Sequence, residues 1–381
     1  MSQGSVRGVT AGGDGDGRLE ASNEVSEPVT TVICKQFTMD SSLLAQISMA
    51  KNGGDMFKAI RMGLLLLFTL PPVACSRNSS GQMREVSVSP DGKFIAVVYA
   101  KDRTYFIYKI AMDTGNATRL TDTKTGAESN PTFSADGKRI AYSYSPGNGA
   151  HSQIVVGNAD GSGLQPWPSS EADDFRPLFS PDNKSIIFAR AGYYGSYSPI
   201  AQPHQHEWNF FESDLDGKNV RQLTDEKFYM VSPASVSTDG KNLLFVSTED
   251  HGDVMEIRSL AQPPKPQLSL RPHVPGEPRL GSALAWVNYM PDGKSVLLMA
   301  ASDGKQGYDY DVYRLDIGSG ALERLTNGNG YATDLRVFSD GRTALFLKWQ
   351  LDWHRTPVSN ELYLLDLQTQ KLTPFRVKGL N

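Results

Sequence analysis

Short apolar runs recur along the chain, each opened by the same polar turn. Ser89-Pro90-Asp91-Gly92-Lys93 precedes Phe94–Tyr99, and Ser134-Ala135-Asp136-Gly137-Lys138 precedes Arg139–Tyr144. The pattern returns at Ser180–Lys184, Ser237–Lys241, Met290–Lys294 and, one residue shorter, Ser339–Arg342. Its aspartates, Asp91, Asp136, Asp182, Asp239, Asp292 and Asp340, are 45, 46, 57, 53 and 48 residues apart. Such a period marks one supersecondary unit repeated six times.

Asp-Gly between two β-rich runs predicts a hairpin, because glycine accepts positive φ without a Cβ clash. Asn183 replaces the glycine once, and asparagine is the next most tolerant residue of the left-handed region. Short runs before each turn (Glu85–Ser89, Pro131–Ser134, Arg176–Ser180, Ala234–Ser237, Ala285–Met290, Leu335–Ser339) read as small or apolar strands in a crowded place. Each repeat supplies four candidate strands. The third and fourth are joined by turns such as Asp113-Thr114-Gly115-Asn116 and Asp214-Leu215-Asp216-Gly217, and four of the fourth strands contain Leu-Thr. Antiparallel four-stranded units at this period, with no helical segment between them, predict an all-β, six-bladed β-propeller spanning residues 84–376. Closing the ring removes free sheet edges.

Composition narrows the function classes. The 381 residues are 39% hydrophobic and 21% charged, which suits a globular protein with a sizeable core. Net charge is −4 and no Lys/Arg block stands out, so no nucleic-acid partner is expected. The two cysteines, Cys34 and Cys75, make neither a zinc knuckle nor a disulfide framework. Residues 1–55 carry no fold signal and read as an unstructured extension or a misplaced start. From Met56 the chain reads as a signal: Lys58 and Arg61 form a basic region, Gly63–Leu70 is apolar, and Pro71–Cys75 ends it. That apolar stretch is too short to span a membrane as a stable helix. Val73-Ala74-Cys75 resembles the end of a bacterial lipobox, with Pro72 in place of the usual leucine. The expectation is a signal over 56–74, lipidation of Cys75 and a tether over 75–83. By resemblance to Gram-negative lipoproteins, Ser76 favours the outer membrane, with the lipid as the membrane contact.

Ser-Pro-Asp-Gly-Lys, then Ile-Ala, Asp-x-Asp-Gly and Leu-Thr-Asp resemble the repeat of TolB-like propellers over about 290 residues. The resemblance implies the fold more than a function. TolB carries an N-terminal α/β domain before its propeller, whereas here the tether leads straight into blade one, so the Tol–Pal role does not carry over. Prolyl-oligopeptidase-type enzymes also carry such propellers, but no Gly-x-Ser-x-Gly elbow is present.

Candidate chemistry gathers in the loops joining second to third strands, which a propeller places on one face. Blade two has Ser145–Ser152 with His151. Blade three has a long insertion, Arg190–Glu207, with Tyr193, Tyr194, Tyr197, Gln202, His204 and His206, then Trp208. Blade four has His251, blade five Tyr308 and Asp309, and blade six Asp352, Trp353, His354 and Arg355. Five of the six histidines thus fall in equivalent loops; the sixth, His273, lies in a proline-rich stretch. The leading reading is a non-enzymatic module binding a protein or carbohydrate at the cell envelope. It would use Tyr194, Trp208, Asp352, Trp353, His354 and Arg355 as aromatic and polar contacts. The alternative is a divalent-metal enzyme of polysaccharide lyase or hydrolase type, with His204, His206, His151 and His251 as ligands. His204-x-His206 near Gln202 resembles the metal ligands of propeller lyases acting on pectin oligosaccharides, which have seven blades. Glu128 and Asp173-Asp174, just before first strands on the same rim, read as solvated loop charge.

Overall fold

A computed structural model places these runs in six sheets around a central channel. It describes residues 81–123, 125–147, 150–168, 170–196, 203–249, 252–261, 266–270, 284–301, 309–328, 330–352 and 356–380. Cys75, the expected signal and the expected extension lie outside these, as do Tyr197, Gln202, His251, His273, Tyr308, Trp353, His354 and Arg355. Every described element is a strand, and no described helix is long and apolar enough to cross a membrane.

Each blade is one uninterrupted stretch of chain, its strands hydrogen-bonded in sequence order and antiparallel. In blade one they are Gln82–Val88, Phe94–Lys101, Thr104–Ala111 and Ala117–Arg119. The innermost strands of the other blades begin with Ala127–Phe133, Asp173–Phe179, Met230–Val231, Leu284–Tyr289 and Ala332–Val337. Second strands are apolar on both faces because neighbouring blades cover them: Ile95 to Val98, Leu243 to Val246 and Val296 to Ala300 are all buried. The cores lie between blades. One, for instance, joins Ile95, Val97 and Tyr99 of blade one to Phe338, Leu345 and Leu347 of blade six.

The recurring motif is a turn and also an inter-blade seat. In blade one the Ser89 hydroxyl donates to Asp91 at 2.6 Å and accepts the Phe94 N–H at 2.9 Å, while Asp91 accepts the Lys93 N–H at 3.1 Å. Serine hydroxyls at Ser134, Ser180 and Ser237 repeat the bond to Asp136, Asp182 and Asp239. These serine bonds, with backbone N–H groups, hold all four carboxyls below the usual aspartate range. Gly92 has φ +68, and a Cβ there would lie 3.3 Å from the Phe338 ring of blade six, so glycine lets adjoining turns close up. The Leu-Thr pair also has a structural role. Thr121, Thr224 and Thr326 accept the N–H of Ile107, Phe210 and Val312 at 3.0, 2.9 and 2.9 Å, satisfying third-strand donors where the short fourth strand ends.

The seam joins blades six and one. Asn360 accepts the Met83 N–H at 3.1 Å and donates to Met83 O at 2.5 Å. The C-terminal segment lies along the outer strand of blade one, with the Lys378 N–H on Gly115 O at 2.8 Å and the Ala117 N–H on Lys378 O at 2.9 Å.

Two expectations change. The first strand of blade four is split into Met230–Val231 and Ser235–Val236, because Pro233 has no N–H for the ladder. Its fourth strand is Pro266–Leu270, within the proline-rich part of the chain after blade four's third strand. The blade-three insertion is largely strand: Ser185–Gly195 and His204–Asp214 form a hairpin pairing Tyr193 with His206 and Tyr194 with Gln205.

Candidate functional site

The second-to-third strand loops do share a face with the starts of the first strands. Three contacts across blade boundaries show it. Ser152 donates its N–H to Asp173 at 2.7 Å, Leu284 N–H reaches Asp253 at 2.9 Å, and the His204 ring lies 3.2 Å from the Tyr229 hydroxyl.

Blade three dominates this face. Its extended hairpin carries two exposed aromatic rings, Tyr193 at 51% and Tyr194 at 45% exposure, which strand alternation turns to opposite faces. Behind them His204 and His206 stand with ring centroids 3.7 Å apart, flanked by Tyr229. His206 is fully buried and its Nε2 contacts Gly195 O at 3.1 Å. Burial, and then the neighbouring His204, lower its pKa, so it stays neutral at physiological pH. His151 belongs to another pairing, with Nδ1 3.6 Å from Asp173 Oδ1. Burial and the Asp173 charge raise the Tyr194 pKa. Trp208 is built into the blade: it is 7% exposed, packs on Phe175 at 5.8 Å and donates its indole N–H to Gln205 O. Asp352 accepts the Thr356 N–H at 2.8 Å, capping the blade-six loop.

Across the ring, aromatic side chains form an arc. Trp286 to Tyr310, Tyr310 to Tyr331 and Tyr331 to Trp349 have centroids 6.0, 6.4 and 6.0 Å apart. The Trp349 indole donates to Thr333 at 2.9 Å, and the Arg84 guanidinium lies 5.7 Å from its ring.

Deeper in, the channel has a charged waist. The innermost strands of blades one, two, three, five and six slip register at the same height. At each slip a non-glycine residue has positive φ: Glu85 at 51°, Asn130 at 52°, Arg176 at 56°, Trp286 at 48° and Asp334 at 63°. Such bulges bend the strand and re-aim side chains. Here they bring Glu85 and Asp334 into electrostatic contact with each other and with Arg84, Arg176 and Arg336. Glu85 accepts the Asn130 N–H at 2.5 Å across the blade boundary, and Asn288 donates to Leu335 O at 3.0 Å across another. Burial pushes the Glu85 carboxyl up to about 7 and raises Asp334, while burial lowers Arg336.

The rim carboxylates read as solvated are not. Glu128 is 1% exposed and bonded to Thr121 and Thr123; burial raises its pKa. Asp174 is 4% exposed and takes two bonds from Arg190, at 2.6 and 2.9 Å. Among the described residues no three His, Cys, Asp or Glu side chains converge to hold a metal.

No known family's profile matches the chain. A curated relative, dipeptidyl-peptidase 5 of Porphyromonas gingivalis, is 25% identical over 313 residues, which are 77% of this chain and 41% of the peptidase. The chain therefore spans less than half the length of the curated relatives it matches. Among solved structures, TolB from Acinetobacter baumannii superposes with a TM-score of 0.54 at 18% identity, covering 79% of this chain and 65% of TolB. An oligogalacturonate lyase in complex with manganese gives 0.51 at 14% identity, covering 75% and 74%. The chain has a TolB-like propeller fold. Within it, the turn face is uniform, and the loop face and the waist carry the chemical variety. The waist was missed in the sequence because Glu85 and Arg176 fall in runs read as small or apolar. A charge inside an innermost-strand run is the signal that marks it.

Proposed function

We propose that this TolB-like propeller is a non-enzymatic binding module of the bacterial envelope that holds a protein or carbohydrate partner at its loop-rich face. The observation that carries the reading is the Tyr193–Tyr194 pair. Large aromatic rings left half-exposed on a rigid hairpin are the usual anchors of an interface, combining apolar area with low side-chain entropy. The register of ten paired residues between the two hairpin strands supports them from below. Function concentrates on variable loops held by a rigid scaffold, and the opposite face offers only short, similar turns.

The test is capture of partners from envelope extracts, and binding to an array of glycans, by the protein and by a Tyr193→Ala/Tyr194→Ala variant. Neither ring is in the core, so the variant should keep its thermal midpoint and lose roughly thirtyfold or more in affinity, as for a hot spot of about 2 kcal/mol or more. Unchanged capture by the variant removes this face from the reading.

The same proposal places the protein outside the cytoplasm, tethered by lipid on Cys75. Acyl chains bury about 0.8 kcal/mol per CH₂, so two or more anchor stably. Cys75→Ser should move the protein from the membrane to the soluble fraction, and retention in the membrane fraction would refute the anchor.

A further inference from the structure

The channel waist holds more fixed charge than a wall requires. Non-glycine residues at positive φ cost roughly 1–3 kcal/mol each, and such strain gathers at functional sites. Here five of them share one level of the ring. Three guanidiniums (Arg84, Arg176, Arg336) meet two carboxyls (Glu85, Asp334), an excess of one positive charge when both carboxyls are ionised. Arg336 is half-buried and makes one hydrogen bond, to Leu335 O at 2.8 Å. A guanidinium has five N–H donors in a planar fork matched to a carboxylate.

Surroundings give the site a direction. Three residues further along the inner strands, about 10 Å at strand rise, the wall becomes apolar, with Val88, Tyr289 and Val337. With Val236, Pro90, Pro291 and Phe338, and the neutral hydroxyls of Ser89, Thr238 and Ser339 but no charged side chain, these line a cavity of about 270 Å³ at the turn face. A charged group entering from the loop-rich face would stop at the waist, since going deeper means losing water without gaining a partner. On the way it passes the partly exposed Trp286, Tyr331 and Trp349, held in place by the buried Tyr310.

We propose that the waist is a receptor for a carboxylate at the end of a chain that enters from the loop-rich face, with Arg336, Arg84 and Arg176 as its cationic contacts and Trp286 beside it. A single negative charge balances the excess, whereas Glu85 and Asp334 oppose a dianion. This site goes beyond the Tyr193–Tyr194 surface and stands or falls without it.

Isothermal titration tests the proposal with four probes: N-acetyl-triglutamate, a glucuronic-acid trisaccharide, the neutral N-acetyl-triglutamine amide, and inorganic phosphate. Titrations run at about pH 6 and about pH 8, where both carboxylate probes stay ionised. A carboxylate probe should bind and the neutral amide should not. Which of the two binds distinguishes an acidic peptide from an acidic sugar as the source, and either result supports the site. Binding should be tighter at the lower pH. Glu85, faced by Asp334, Arg84, Arg176 and Arg336, takes up a proton as pH falls through about 7 and stops repelling the ligand. Arg336→Gln should weaken binding about tenfold or more, the usual loss of a charged hydrogen bond. Glu85→Gln should bind at the higher pH as tightly as the natural protein does at the lower. If Arg336→Gln fails to fold, Glu85→Gln decides alone. The proposal is overturned if no carboxylate binds at millimolar concentration, if the amide or phosphate binds equally well, or if Glu85→Gln keeps the pH dependence.

Discussion

Arg190→Met should destabilise the propeller by about 3–5 kcal/mol, because it leaves the Asp174 carboxylate buried without its cation. The pair is bidentate, at 2.6 and 2.9 Å, with Asp174 4% exposed. Even with Arg190 in place, burial raises the Asp174 pKa. The arginine stem also packs beside the Phe188 and Phe211 rings, 5.3 and 5.0 Å from the guanidinium carbon, so methionine keeps some of the apolar contact. Chemical denaturation of the single variants and of Asp174→Leu/Arg190→Met checks the account. The single Arg190 change should be the worst, and its defect should shrink as pH falls and Asp174 takes up a proton. The double variant should recover most of the loss, since two apolar residues leave no buried charge. A defect as large in the double variant would mean that packing, and not charge, holds this position.

Stability should fall as pH rises from about 4.5 to 7, and Glu85→Gln should remove a large part of that fall, the rest belonging to Asp334, Glu128 and Asp174, which burial also raises. The carboxyl of Glu85 is raised from 4.5 to about 7 by burial. A folded-state pKa above the unfolded one means the folded protein binds the extra proton. Its contribution is complete below 4.5 and lost as pH climbs through about 7. The loss is at most about 3 kcal/mol, at 1.36 kcal/mol per tenfold change in proton affinity. At 2–4 °C per kcal/mol for a large domain, the Glu85 share of the drop in thermal midpoint should be roughly 5–10 °C across that window, and Glu85→Gln should drop by that much less. The turn aspartates act with the opposite sign. Their carboxyls are held low, so the stability they add is present above about 4 and lost in stronger acid. A midpoint that does not change between pH 4.5 and 7 would show that Glu85 stays ionised in the channel.

What the sequence makes legible here follows from the range of the forces involved. The turns are legible because the bonds that shape each one are local: Ser89, Asp91 and Gly92 complete their hydrogen bonds within six residues. Six local solutions at one period imply the ring, and the structure has it. The shared face of the second-to-third strand loops was legible too, as simple strand parity. The waist was not. Arg84 and Glu85 are neighbours that a regular strand would send to opposite faces, and only the bulge at Glu85, with φ 51°, brings both to Asp334. Whether a charge near a rim is solvated was equally hidden, because Asp174 is paired with Arg190 on the neighbouring strand and Glu128 is bonded to Thr121 and Thr123 across the blade boundary. Trp208 shows the same limit: four residues after His204 it is already core, packed on Phe175, which lies 33 positions earlier in the chain.

The seam between blades six and one has a consequence for the order of the gene. No blade borrows a strand from another, and blades six and one already meet at the seam, Met83 against Asn360 and Lys378 against Gly115. The position where translation of the ring begins is therefore a historical choice among six. Joining the present ends by a short linker and opening the chain at another inter-blade connection would leave every sheet whole. A blade is the unit that can be copied, exchanged or moved to the front without rewriting any other.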